Sequence, residues 1–141
     1  QSKFNNILCE IKVANTKNES KEYEEIFKNR MQSSLCLHPS EQPKYILTWD
    51  IIKSKSQLIG TEANRTVRYE LNLKISFSLI DTSTGRKVYS DIINSGSEYN
   101  ILEDKIISTL ASERSAEEMI VKNLNEIIIN KIYMFAESHE N

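Results

Sequence analysis

The chain has 141 residues, a net charge of −2, 27% charged residues and only three Gly and two Pro. That length is one domain with a sizeable core, and so few Gly and Pro argue against disorder and against a loop-rich scaffold. The near-neutral balance gives no broad basic surface for nucleic acid, and no apolar run reaches the roughly 18 residues of a membrane span.

The chain opens at Gln1 without Met or signal peptide, as a mature or trimmed form would. "ILCEIKV" puts Ile7, Cys9, Ile11 and Val13 on one face and Glu10 and Lys12 on the other, which predicts a strand. The next stretch, "NTKNESKEYEEIFKNRMQSSLCLHP", changes to helical spacing, with Tyr23, Ile26, Phe27, Met31 and Leu35 along one stripe. Thr16 and Glu19 match a capping box, Asn18 and Ser20 are alternative caps, and His38-Pro39 ends the helix. Cys9 and Cys36 thus fall in a strand and near a helix end. Sheet and helix layers sit about 10 Å apart and a disulfide needs Cα atoms within about 7 Å, so two separate buried thiols are expected. Neither cysteine has zinc or redox-motif spacing.

"YILTWDII" returns to alternation. The cleanest strand follows in "RYELNLKISFSLI", where Tyr69, Leu71, Leu73, Ile75, Phe77 and Leu79 face one way and polar residues the other. "DTSTG" is turn chemistry, so "RKVYSDII" should return as the next strand of a hairpin. Gly96 in "NSGS" is expected to break that strand, with "EYN" leading into the last helix. Residues 111–135 make that helix. An arc of roughly 160° collects Ala116, Ile120, Val121, Leu124, Ile127, Ile128, Ile132, Met134 and Phe135, interrupted only by Glu117 and Lys131. Met119, Ile129 and Tyr133 fall outside the arc, available for helix-helix contact or for something beyond the domain. Glu113, Glu117 and Glu118 suit the helix start, and Glu118-Lys122 makes an i,i+4 pair.

The order β-α-β-β-β-α predicts a single α+β domain over residues 1–141. It should be a two-layer sandwich, a four-stranded sheet with both helices on one face. Residues 69–79 should form a central or near-central strand. No P-loop, GxSxG, GxGxxG or HExxH is present, and His38 and His139 have no carboxylate or thiol at ligand spacing. The expectation is therefore no enzyme, no metal and no cofactor.

The second half of the chain resembles the lipopolysaccharide-assembly lipoprotein LptE family, in its alphaproteobacterial form. The resemblance is carried by "RYELNLKISFSLIDTSTGRKVYS", by "SGSEYN" and by "LASERSAEEMIVKNLNEIIINKI", in that order. Ser115 departs from the acidic residue expected in the closing helix. The resemblance implies an outer-membrane lipoprotein on the periplasmic face, attached by a lipid anchor that this chain does not contain. It also implies a plug within the LptD β-barrel that assists barrel assembly and binds lipopolysaccharide. Cys9 is not preceded by a lipobox and is not the lipidation site.

A lipopolysaccharide site needs cations beside apolar groups. Arg65 and Arg68, with Lys53 and Lys55, flank the tip that carries Leu58 and Ile59, and Arg114 is a further candidate. The bland alternative is that Arg68 points to water from a half-buried strand. Two other functions fit the same sequence, a generic periplasmic adaptor and a small ligand-binding α+β domain without a lipopolysaccharide role.

Overall fold

The computed structural model describes residues 7–15, 21–58, 66–102 and 106–139. In chain order come β1 (Ile11–Val13), α1 (Glu22–Leu35), β2 (Tyr45–Leu58), β3 (Thr66–Asp81), β4 (Lys87–Leu102) and α2 (Ile106–Ser138). The expected β-α-β-β-β-α order and two-layer α+β class hold. The sheet runs β1-β2-β3-β4. β1 lies parallel to β2, and the other neighbours are antiparallel. A parallel pair cannot be closed by a tight turn, and α1 supplies the crossover.

β3 is an inner strand, paired along its length on both sides. Its alternation points Leu71, Leu73, Ile75, Phe77 and Leu79 at the helices, and all five are buried. Tyr23, Phe27, Met31 and Leu35 of α1 are buried in the same core cluster. Ile120, Val121, Leu124, Ile128, Ile132 and Phe135 of α2 join them, so one core fills the space between the layers. Burial of this size is the dominant stabilising term.

Four local expectations are corrected. Residues 7–9 form a helical turn, and the first strand begins only at Ile11. Cys9 and Cys36 are bonded to each other, with Cα atoms 5.0 Å apart. Layer spacing keeps apart only residues that lie inside a strand and inside a helix. Cys9 precedes its strand and Cys36 is the extended C-cap of α1, so both lie where the chain leaves its layer. Gly96 does not break β4, which runs on through Tyr99. It pairs with Asn72 instead, and a Cβ there would lie 3.1 Å from the Leu71 carbonyl oxygen. The glycine permits a close approach of strands. Finally, α1 begins at Glu22 and ends at Leu35, short of His38-Pro39. Its first turn is held by the Lys21 N–H, which donates to Glu24 Oε1 at 2.7 Å. Thr16, Asn18, Glu19 and Ser20 lie outside the described residues.

The apolar surplus of α2 now resolves. Ile129 and Tyr133 pack against the core, while Met119 and Met134 are 66% and 67% exposed, Met134 contrary to its place in the arc. Both charged residues that interrupt the arc reach across to the sheet. Lys131 Nζ lies 2.8 Å from Asp91 of β4, and Glu117 meets Lys53 of β2.

Asn125 of α2 is the exception to the apolar rule. It is 2% exposed, and neither amide atom has a hydrogen-bond partner among the described residues. A buried amide without partners carries its whole desolvation penalty. Asn125→Leu has a similar branched shape and should raise stability by about 1–2 kcal/mol, a little overpacking included. Thermal unfolding of the variant checks this, and a lower midpoint would show that the amide is satisfied in solution.

Candidate functional site

β2 continues past the core with its alternation intact. Leu47 and Ile51 point at the helices and are buried, so Lys53 and Lys55, two and four residues on, point the same way. They meet the first half of α2, where Glu113 and Glu117 sit one turn apart. Lys53 Nζ lies 2.5 Å from Glu113 Oε2 and 2.6 Å from Glu117 Oε2, and Lys55 Nζ lies 2.9 Å from Glu113 Oε1. The Tyr99 hydroxyl of β4 donates to the same Glu113 Oε1 at 2.8 Å. Each of the two ammonium groups also lies over an aromatic ring. Lys53 lies 5.7 Å from the Tyr23 ring centre and Lys55 lies 5.1 Å from that of Tyr69. Tyr69 in turn stacks on Tyr99 at 5.7 Å.

The electrostatics follow from this packing. Burial alone would push the Glu113 carboxyl up, but hydrogen bonds from Lys53, Lys55 and Tyr99 outweigh it and bring its pKa down to about 2. Burial would lower the Lys53 ammonium, yet Glu113 and Glu117 together raise it. Burial and the Glu113 charge raise the Tyr99 phenol. Glu113 has a folded pKa below its ordinary 4.5, so its stabilisation is fully present above that value. It is lost as pH falls from 4.5 toward 2. Glu113→Gln should therefore flatten the acid limb of stability between those values, readable as the thermal midpoint against pH. An acid limb as steep as the parent's would exclude Glu113 as its source.

The candidate cations of the tip do not come together. Lys53 and Lys55 face the helix layer, whereas Arg68 lies on the opposite face of the sheet, beside Leu58 and Asn100. There its guanidinium donates to Asn100 Oδ1 at 3.2 Å and lies 3.8 Å from Glu98, with more than half the side chain in solvent. Arg114, on the surface of α2, lies 2.7 Å from Glu22 of α1 and 3.7 Å from Glu118. Arg65 and Ile59 lie outside the described residues. Each described candidate cation thus has a carboxylate beside it.

Glu113 and Glu117 act differently from what the sequence suggests. α2 begins at Ile106, which places them beyond its first turn and makes them partners of β2 instead of macrodipole complements. Glu118 pairs with Arg114, not Lys122. Two signals in the sequence pointed here: a glutamate inside the apolar arc, and lysines at the inward positions after Ile51.

Two concave regions lie elsewhere. A groove of about 420 Å³ runs between Ser95, Gly96 and Ser97 of β4 and Met119, Asn123 and Glu126 of α2. A cleft of about 470 Å³ beside the disulfide is floored by Leu8, Ile11, Leu35 and Ile46, with Lys12 and Glu41 at its rim. Among the described residues there is no group of three or more metal-binding side chains, and no helix long and apolar enough to cross a membrane.

Solved structures share this fold. A candidate lipoprotein from Caulobacter crescentus superposes over 99% of both chains, with TM-score 0.78 and 12% identity. Uncharacterized lipoprotein B from Nitrosomonas europaea matches 92% of this chain and 87% of its own, with TM-score 0.65 and 17% identity. A minor lipoprotein from Acinetobacter baumannii matches 88% of each chain, with TM-score 0.63 and 13% identity. At such identities the likeness is one of fold. No family model and no curated protein sequence matches the chain.

Proposed function

We propose that this protein is an outer-membrane lipoprotein of the LptE type. In that role it sits as a plug in the LptD barrel, helps the barrel to assemble and binds lipopolysaccharide on its way to the cell surface. The observation that carries the reading is a coincidence of two independent likenesses. The second half of the sequence resembles LptE, and the whole chain has the fold of proteins described as lipoproteins, among them the Caulobacter protein over 99% of both chains. The Cys9–Cys36 disulfide supports an extracytoplasmic address, since such bonds persist in oxidising compartments. A lipid anchor then requires another cysteine, because these two are bonded to each other. A plug needs a rigid body, and the continuous core and strands of 14 and 16 residues provide one. The reading assigns no catalysis, and the ionisable groups that converge are paired with one another.

The test is recovery of the full-length lipoprotein from outer membranes, read by mass spectrometry for LptD. Recovery without LptD, under conditions that keep barrel complexes intact, would sink the plug reading. For lipopolysaccharide, Arg65 and Arg68 are the substitutions to make. Arg68 makes only solvent-exposed contacts, which contribute little to stability. Arg65→Glu with Arg68→Glu is expected to weaken lipopolysaccharide binding with the thermal midpoint nearly unchanged, and parent binding should fall as salt rises. Undiminished binding by the double variant would move the site away from the tip.

A further inference from the structure

The lysines of the helix-facing cluster are held in a way that suits an anion other than a side-chain carboxylate. Glu113 bridges them, with Oε2 on Lys53 and Oε1 on Lys55, and Tyr99 donates to Oε1 as well. A phosphate presents a similar pair of oxygens and a third besides, and ammonium groups and hydroxyls are its usual ligands. The charges also match. Two lysines face two carboxylates, and a phosphate monoester carries about −1.5 to −2. The lysines do not depend on the glutamates alone for position, because Lys53 also lies over the Tyr23 ring and Lys55 over that of Tyr69. The glutamates belong to one element, α2, and the lysines to another, β2. Exchange of one anion for the other therefore requires the Glu113 and Glu117 carboxylates to swing off the lysines, with the first half of α2 giving way while Ala116, Ile120 and Val121 hold the rest of the helix in the core.

We infer that Lys53, Lys55 and Tyr99 form a phosphate cradle that Glu113 and Glu117 occupy in the unliganded protein, so that α2 acts as an internal competitor for a phosphorylated ligand. The inference rests on the proposed lipopolysaccharide role for the identity of that ligand, whose lipid A carries phosphates, but not for the cradle itself. A free phosphate compound would use the same three donors.

The experiment compares the parent, Glu113→Gln/Glu117→Gln, and the same pair with Lys53→Gln/Lys55→Gln added. Glutamine keeps the shape and an acceptor for lysine while removing the competing charge. The probes are bisphosphorylated lipid A in phosphatidylcholine vesicles, its dephosphorylated form, and inorganic tripolyphosphate in solution. The glutamine pair should bind phosphorylated lipid A about tenfold tighter than the parent, equivalent to about 1.4 kcal/mol. The gain should vanish when the lysines are replaced and should be absent for the dephosphorylated lipid. A parent that binds lipid A, with a glutamine pair that binds it no tighter, overturns the cradle and leaves the lipopolysaccharide reading standing. A gain for tripolyphosphate, with no binding of lipid A by any form, supports the cradle and overturns that reading. Hydrogen exchange of the parent gives a second readout that needs no substitution. Amides around Glu113 and Glu117 should exchange faster when lipid A is saturating, and unchanged protection there overturns the competition.

Discussion

Reduction of the Cys9–Cys36 bond should lower the stability of this protein by about 3–4 kcal/mol. The estimate follows from the entropy of the loop it closes, since the two cysteines are 27 residues apart in sequence and an unfolded chain with that loop open has far more conformations. For a domain of this length each kcal/mol moves the thermal midpoint by roughly 2–4 °C, so a drop of about 10 °C is expected. The loss should be local before it is global. The bond ties the helical turn at residues 7–9 to the C-cap of α1, and β1 is held to β2 by only three paired residues. Amides of residues 7–15 should therefore lose protection against hydrogen exchange first, with β3 last. Cys9→Ser/Cys36→Ser should melt like the reduced parent and be indifferent to reductant. A reduced protein that melts within about 2 °C of the oxidised one would mean that the loop is already constrained without the bond.

Leu73→Ala should cost about 2–5 kcal/mol. Leu73 has no solvent exposure, lies on an inner strand, and points into the space where both helices meet the sheet. Truncation removes the transfer free energy of its side chain and leaves a cavity. Neighbours such as Ile75, Leu71 and Ile51 are fixed by strand pairing and cannot readily collapse into it. Two controls separate burial from strand propensity. Ile52→Ala, on the opposite face and 57% exposed, should cost well under 1 kcal/mol, and Lys74→Ala, adjacent to Leu73 but outward, should cost similarly little. Chemical denaturation gives the three values directly. A loss at Leu73 no larger than that at Ile52 would contradict the burial of this face.

Local sequence pattern is enough to mark the main elements and the faces they bury. Period two across residues 69–79 is enough to put Leu71, Leu73 and Ile75 on the buried side of a strand. Helical spacing in α1 and α2 likewise marks Phe27, Met31, Leu124 and Ile128. Such periodicities are properties of the local backbone and need no knowledge of what lies opposite. The inward aim of Lys53 is legible in the same way, from its parity with Ile51. Its partners are not, because Glu113 and Glu117 lie 60 and 64 residues away and come within reach only when α2 docks over the end of β2. The meeting of Cys9 and Cys36 likewise comes from packing of the whole chain, because each sits beyond the end of its element, where chain direction escapes periodicity. Tertiary structure carried β4 through Gly96, since pairing with β3 outweighs the weak strand preference of glycine. It also set Arg68 apart from the two lysines. Nearness along the chain put all three beside one tip, but strands of opposite parity sent them to opposite faces of the sheet.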